Sequence, residues 1–327
     1  MKSLSRSVVD FHLHLITRAT LVGRELQAPP HKRHLLAKDD ERHRRHVSRI
    51  GNAPMQVVDE PIETTASRWV AELDSAGVDV GTFYVTGGNR NDVLALVSKA
   101  PRRIVGFTWI DDPCGPGAVS QLERDVADGF AGVKLYPPLQ LYHAYDERAY
   151  PLYEKIQELC LPVVFHMGVS IGYLTDLRYA NPTDLQPVAR DFPEMPVVMA
   201  HFGTGYMREA LFTAYHCHNV MFDTSSSNIW REFLPARPSL RDVFAQFLDA
   251  VGAHRILFGS DSSYFPRGYR RDLLAEQTEI LHQLGISDDD MAAIMGGNAR
   301  RLLARSDLEL SGSGERDSHL QSGDIEK

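Results

Sequence analysis

The stretch Ser7-Val8-Val9-Asp10-Phe11-His12-Leu13-His14-Leu15-Ile16, near the start of the chain, combines an apolar strand pattern with two histidines. Side chains alternate between the two faces of a strand, so His12 and His14 are expected on one face with Asp10 below them. Two imidazoles on one face of a rigid strand can bind a single metal ion. Because two histidines two positions apart also occur by chance, a metal site needs further ligands elsewhere in the chain.

Seven further apolar runs of strand length follow the first one at residues 8–15, and most are rich in Val, Ile and Phe, as strands buried on both faces are. They span residues 80–86, 104–110, 132–136, 162–166, 197–201, 220–223 and 256–258. Helical patterns separate them, among them residues 65–76, 119–128, 148–160, 208–218, 240–251 and 272–284. This alternation predicts an α/β fold, the closed (β/α)8 TIM barrel. An open doubly wound sheet is the alternative, but the sequence lacks the Gly-rich phosphate turn expected after one of its early strands.

We expect one domain, residues 1–303, with an insertion at residues 24–60 between the first strand and the first of those helices. A βα loop of this length lies over the mouth of a barrel, so the insertion is expected to be lid-like. Its Arg and His residues could contact an anionic substrate, although a solvated charged helix explains the same residues. Residues 304–327 are rich in Ser, Gly and charge, and we predict a disordered tail there.

The composition limits the partners of the protein. The chain is 43% hydrophobic and 24% charged, and its net charge of −8 disfavours a nucleic-acid surface. A membrane is not an expected partner either, because no run reaches the roughly 20 apolar residues of a membrane span. Cys114, Cys160 and Cys217 are isolated and odd in number, which is typical of reduced thiols, so a cytoplasmic location is expected.

Polar side chains close four of the predicted strands, at the end where barrels gather their functional residues. His166 closes the fifth strand, His201 closes the sixth, Asp261 follows the eighth, and Lys134 lies near the end of the fourth. One histidine in such a position is commonly a satisfied core residue. Four such positions, added to the histidine pair of the first strand, are difficult to explain as packing, because each buried polar group needs a partner.

These residues, in this order, resemble the amidohydrolase superfamily. More narrowly, they are similar to its amidohydrolase-related branch, which includes aminocarboxymuconate semialdehyde decarboxylase-like proteins and metal-dependent hydrolases. The resemblance extends over about residues 7–303 and rests on Asp10-Phe11-His12-Leu13-His14, Gly132-Val133-Lys134-Leu135-Tyr136-Pro137, His166, His201, Gly259-Ser260-Asp261 and Gly297-Asn298-Ala299-Arg300-Arg301-Leu302. The order of these residues is specific for the superfamily and not for any one reaction.

The resemblance implies a catalytic metal centre. It implies that His12, His14, His166 and Asp261 bind one divalent ion, with His201 beside a metal-bound water as an acid or base. Three imidazoles and one carboxylate suit Zn²⁺, with Mn²⁺, Fe²⁺ and Co²⁺ as alternatives. Such an ion makes hydroxide available near neutral pH, and Asp261 or His201 could transfer the proton.

Lys134 distinguishes two subtypes that the resemblance leaves open. In binuclear members of the superfamily, a lysine at the end of the fourth strand is carboxylated and bridges two metals, and His201 would bind the second. In the mononuclear branch, which the Lys134 motif resembles more closely, the ammonium would polarise a substrate oxygen or bind a substrate carboxylate. A structural ion pair is the third interpretation.

Two reactions fit the same ligands, because a fold does not decide a function. The first is hydrolysis of a small organic substrate, carboxylated or aromatic, by a metal-activated water. The second is non-oxidative decarboxylation of an aromatic or enoic acid. A barrel that binds metal without turnover is a third hypothesis. The expected partner is a small-molecule substrate, and the resemblance implies a homodimer.

Overall fold

A computed structural model describes residues 7–28, 30–49, 60–170, 172, 174–225 and 229–304. Its eight strands pair in sequence order, and every consecutive pair is parallel. They are β1 Val9–His14, β2 Val80–Tyr84, β3 Ile104–Trp109, β4 Val133–Leu135, β5 Val163–Phe165, β6 Val197–Met199, β7 Val220–Asp223 and β8 Ile256–Leu257. The amide of Phe11 donates to the carbonyl of Phe258 at 2.9 Å, and that of His14 donates to Ser262 at 2.9 Å. These bonds return the end of the sheet to β1, and the predicted (β/α)8 TIM barrel is confirmed.

Helices lie between the strands. They are α1 Arg18–Gln27, α2 Leu36–Arg49, α3 Ile62–Ala76, α4 Arg90–Lys99, α5 Ala118–Ala127, α6 Pro137–Gln140, α7 Tyr150–Glu158, α8 Leu185–Asp191, α9 Met207–His216, α10 Leu240–Val251, α11 Arg271–Gln283, α12 Asp288–Ala292 and α13 Asn298–Leu303. Local chemistry sets their ends: Ser239 and Asp242 form a capping box at the start of α10, and Gly77 adopts a φ of 69° after α3. None of the helices in these described ranges combines the length and apolar character required to cross a lipid bilayer.

The inside of the barrel is packed with apolar side chains. Val9, Phe11, Phe107, Val164 and Val198 form one buried cluster across the strands, to which residues of α13 also belong. Two further clusters pack the outer faces of the strands against the helices. A filled interior leaves only the carboxyl ends of the strands open for chemistry.

The strand β1 departs from strict alternation. Its register against β2 shifts between Asp10 and Leu13, so that Phe11 packs inside the barrel whereas Leu13 packs outside. The Oδ1 atom of Asp10 accepts from the backbone amides of His12 at 3.0 Å and Ser260 at 3.1 Å. The expected strict alternation of side chains along β1 is therefore wrong between Asp10 and Leu13. Asp10 instead links the backbone of β1 to the backbone of the loop after β8.

The insertion is helical where the structure describes it. It contains the end of α1, a 3-10 helix at Pro30–Leu35 and α2. Within α2, Arg45 pairs with Glu41 one turn away, and the described side chains after Leu36 are exposed. Residues 29 and 50–59, and the predicted tail from residue 305 onward, lie outside the described residues. The lid role stays a prediction.

Candidate metal centre

The carboxyl ends of the strands bring the predicted site residues to one end of the barrel. His12 and His14 lie on β1 and Lys134 on β4, whereas His166 directly follows β5 and His201 is the second residue after β6. Asp261 lies in the loop after β8. Two of these positions have strained backbone: His201 has a φ of 56° and Asp261 a φ of 57°. Left-handed conformations of this kind cost about 1 kcal/mol or more in non-glycine residues, and they persist where the surrounding structure imposes them.

Three of the predicted ligands converge on one point. The Nε2 atoms of His12 and His14 lie 3.2 Å apart. The Oδ1 atom of Asp261 lies 3.4 Å from Nε2 of His14 and 4.0 Å from Nε2 of His12. His12 is buried, and the other two are partly exposed. These three residues therefore offer two nitrogens and one oxygen to a common position.

The other ring nitrogens of the pair have their own partners. Nδ1 of His12 lies 2.8 Å from Oδ2 of Asp223, and Nδ1 of His14 lies 3.1 Å from the hydroxyl of Thr86. Burial lowers the pKa of His12 well below its usual value and that of His14 to about 4, so both rings are neutral. A proton on each Nδ1 leaves an Nε2 lone pair on each ring. Two such lone pairs beside a carboxylate fit a divalent cation.

His201 lies next to this position. Its ring centroid is 4.7 Å from that of His12, and it is buried. Its Nδ1 donates to the backbone carbonyl of Ser225 at 2.8 Å. The remaining nitrogen, Nε2, is therefore a lone-pair acceptor that can take up a proton.

His166 is adjacent to His201 but does not point its Nε2 atom at the converging ligands. Its ring stacks on Tyr136 at 4.0 Å between centroids and lies 4.9 Å from the ring of His201. Nε2 lies 3.3 Å from the carbonyl of Val169 in its own loop. The structure thus places His166 beside the centre, and its role as a ligand stays a prediction.

Lys134 presents a buried cation to the same region. It is only 3% exposed, and its Nζ atom has no hydrogen-bond partner among the described residues. Nζ lies 5.1 Å from the centroid of the Tyr84 ring. Burial lowers the pKa of Lys134 to about 8, although the carboxylates of Asp223 and Asp261 oppose the shift. A buried ammonium without a partner can bind an anion that enters the barrel mouth.

Asp223 is the residue that sequence reasoning missed. It is fully buried at the end of β7, where its Oδ1 atom accepts from the backbone amides of His201 at 3.1 Å and Ser225 at 3.0 Å. Together with His12 and His201 it forms a second group whose ligand atoms lie within 4.8 Å of one another. The criterion that selected His166, a polar residue closing an apolar strand, also selects Asp223.

Residues 9–305 match the family model described as Amidohydrolase, and the chain therefore belongs to the amidohydrolase family of enzymes. It is 26% identical over 266 residues to the 2-keto-4-carboxy-3-hexenedioate hydratase of Sphingobium sp. strain SYK-6, covering 68% of this chain and 72% of that protein.

Solved structures show the same fold. The 5-carboxyvanillate decarboxylase LigW from Sphingomonas paucimobilis matches with a TM-score of 0.61 and 14% identity, over 91% of this chain and 99% of that one. An amidohydrolase from Burkholderia multivorans with bound zinc matches with a TM-score of 0.59 and 17% identity, over 91% and 99%.

Proposed function

We propose that this protein is a metal-dependent hydrolase of a small carboxylated or aromatic compound. The observation on which the proposal rests is the convergence of His12, His14 and Asp261 on one position beside the unpaired ammonium of Lys134. Such a site combines ligands for a cation with a cation that attracts an anionic substrate. The names of the hydratase and of LigW, which both denote carboxylated compounds, support this substrate class.

In this proposal His12, His14, His166 and Asp261 hold one divalent ion. Zn²⁺ is the ion we propose, because nitrogen and carboxylate ligands suit it and a structural neighbour contains it. When bound, the ion supplies Lewis acidity and lowers the pKa of water to about 7.

The chain's own residues then bind the substrate and move the proton. Lys134 binds a substrate carboxylate, because no described protein group pairs with its ammonium. His201 accepts a proton at Nε2, since its Nδ1 is already engaged by Ser225, and returns it to the leaving group. Asp261 assists as a base through the carboxylate oxygen that does not face His14.

Decarboxylation is the second candidate, favoured by the likeness to LigW. There Lys134 would bind the carboxylate of the acid, and a protonated group such as His201 would deliver a proton to carbon. A cytoplasmic homodimer stays a prediction for either reaction.

Turnover in ¹⁸O-labelled water distinguishes the candidates. The zinc-loaded protein is incubated with esters, lactones, amides and aromatic acids that bear carboxylates, and products are analysed by mass spectrometry. A hydrolase puts one labelled oxygen into a cleaved product. Release of CO₂ without labelled oxygen in the product would replace the first candidate by the second. Addition of labelled water without cleavage would indicate a hydratase, and bound zinc without turnover would favour an inactive barrel.

A further inference from the structure

We propose that Asp223 is a positioning residue that fixes the tautomer of His12 and, through Ser225, the placement of His201. The inference deepens the proposed function, because it concerns how the chain prepares the same centre for a metal ion. It adds a residue that neither touches the substrate nor needs to contact the ion.

The contact with His12 dictates where the proton of that ring lies. Oδ2 of Asp223 is 2.8 Å from Nδ1 of His12, and both side chains are fully buried. Three donors already occupy Oδ1 of Asp223, and its Oδ2 faces Nδ1 as an acceptor, so this geometry places the ring proton on Nδ1. The opposite nitrogen, Nε2, then keeps its lone pair and lies 3.2 Å from Nε2 of His14. A carboxylate behind a histidine ligand orients the ring in this way.

The other oxygen holds the turn that carries His201. Oδ1 of Asp223 accepts from the backbone amides of His201 and Ser225 and from the hydroxyl of Ser225. Because the Ser225 hydroxyl donates to Asp223, its oxygen and the Ser225 carbonyl both face Nδ1 of His201, each at 2.8 Å. The His201 ring therefore also carries its proton on Nδ1. One carboxylate thus connects a ligand histidine with the acid–base histidine.

The distribution of donors makes Asp223→Asn a sharp test. Three donors face Oδ1 and one faces Oδ2, so the amide oxygen of the asparagine should take the Oδ1 position. Its NH₂ group then points at Nδ1 of His12 and forces the proton to Nε2, where it blocks the lone pair. His201 should keep its tautomer, because the acceptor at Oδ1 remains.

The tautomers can be read in the metal-free protein by ¹⁵N NMR of labelled histidine. We expect the Nδ1–H form for His12 and His201 in the wild type, and the Nε2–H form for His12 alone in Asp223→Asn. Zinc affinity, measured by competition with a chromophoric chelator, should fall about 10- to 100-fold in the variant. Asp10→Asn is the matched control, since Oδ1 of Asp10 accepts from the backbone amides of His12 and Ser260 and not from the ring of His12. It should leave both the His12 tautomer and the zinc affinity unchanged.

Failure of this inference differs from failure of the proposed function. An Nε2–H form of His12 in the wild type, or an unchanged tautomer in Asp223→Asn, would overturn the positioning role whatever the protein catalyses. The wild-type spectrum provides that test even where Asp223→Asn does not fold. Correct tautomers with no turnover on any substrate would contradict the hydrolase alone.

Discussion

The Nε2 atoms of His12 and His14 face each other at 3.2 Å, although their sequence spacing alone would allow two independent side chains. Their Nδ1 atoms are directed elsewhere, towards Asp223 and Thr86. When both rings carry their protons on Nδ1, the two Nε2 lone pairs repel each other, and a cation between them and Asp261 would remove that repulsion. The geometry of the pair with Asp261 therefore fits a cation.

Removing a ligand should remove the metal. We expect the wild type to bind about one zinc ion per chain after dialysis, and His12→Ala, His166→Ala and Asp261→Ala to retain a small fraction of it. The measurement is metal content by inductively coupled plasma mass spectrometry, alongside circular dichroism to confirm folding. His216→Ala is the control, because His216 is exposed on α9 and should leave the stoichiometry unchanged.

His166 makes this test informative in a second way. Its Nε2 atom lies against the carbonyl of Val169, so it must turn to reach the ligands on β1. Full zinc content in His166→Ala would contradict the four-ligand set and leave His12, His14 and Asp261 as the metal site.

Lys134 should reduce the stability of the metal-free protein below pH 8. Burial lowers its pKa from 10.5 to about 8, so the unfolded chain binds the proton more tightly than the folded one. The resulting loss of folding stability is fully present below pH 8 and disappears as pH rises from 8 to 10.5. At about 1.4 kcal/mol per pKa unit, Lys134→Met should raise the free energy of unfolding by up to about 3 kcal/mol at pH 7.

The rise in the free energy of unfolding caused by Lys134→Met should be smaller at pH 10 than at pH 7, as measured by urea unfolding at both pH values. Lys155→Met is the control, because that amine pairs with Glu158 at 2.6 Å near the surface and carries no comparable burial cost. If Lys134→Met were less stable than the wild type at pH 7, an anion or a carbamate on Lys134 would be indicated. Lys134→Met should also lose catalytic activity, since it removes the ammonium that is proposed to bind the substrate carboxylate.

Much of the fold follows from sequence patterns because buried parallel strands need continuous apolar runs. The predicted run at 220–223 matches β7, and the predicted helix at 240–251 matches α10. The predicted strands at 162–166 and 197–201 include His166 and His201, whereas β5 and β6 end before these residues. The reason is the turn that follows each strand, which an apolar pattern does not reveal.

The site was less predictable than the fold. Residue types and strand ends are visible in the sequence, so His12, His14 and Asp261 could be grouped. The irregular register of β1 and the ring orientation of His166 depend on packing with other strands. Asp223 shows the remaining difficulty, because its role depends on which ring nitrogen it contacts across more than two hundred residues.

The three thiols should differ in reactivity. Cys160 is exposed and Cys217 is buried, whereas burial raises the pKa of the Cys114 thiol to about 11. At pH 8 only about one Cys114 in a thousand is then a thiolate. Iodoacetamide should modify Cys160 first in the native protein, as followed by peptide mass spectrometry, and all three thiols in urea. Equal rates for Cys114 and Cys160 in the native protein would contradict the packing around Cys114.

A single methyl group should test how tightly the barrel closes. Gly296 lies in the π-helical turn Ala293–Gly297, and a Cβ atom there would lie 2.1 Å from the backbone carbonyl of Ser7. The same turn accepts the amide of Phe258 at 3.0 Å through Ile294, so it holds the end of β8 beside the start of β1. Gly296→Ala must push these backbone segments apart, and we expect a loss of about 1–3 kcal/mol in urea unfolding.

Gly117→Ala is the matched control for this substitution. Gly117 has an ordinary φ of −90°, and a Cβ atom there meets nothing within 4 Å. The control should lose less stability than Gly296→Ala, because its added methyl group meets no atom, although alanine is a weaker N-cap than glycine at the start of α5. Equal midpoints for the two variants would mean that Ser7 and the π-helical turn Ala293–Gly297 are not in contact. That turn accepts the amide of Phe258, and His12 and Asp261 lie further along β1 and the loop after β8, so a loss confined to Gly296→Ala would tie the closure of the barrel to the elements that carry the metal centre.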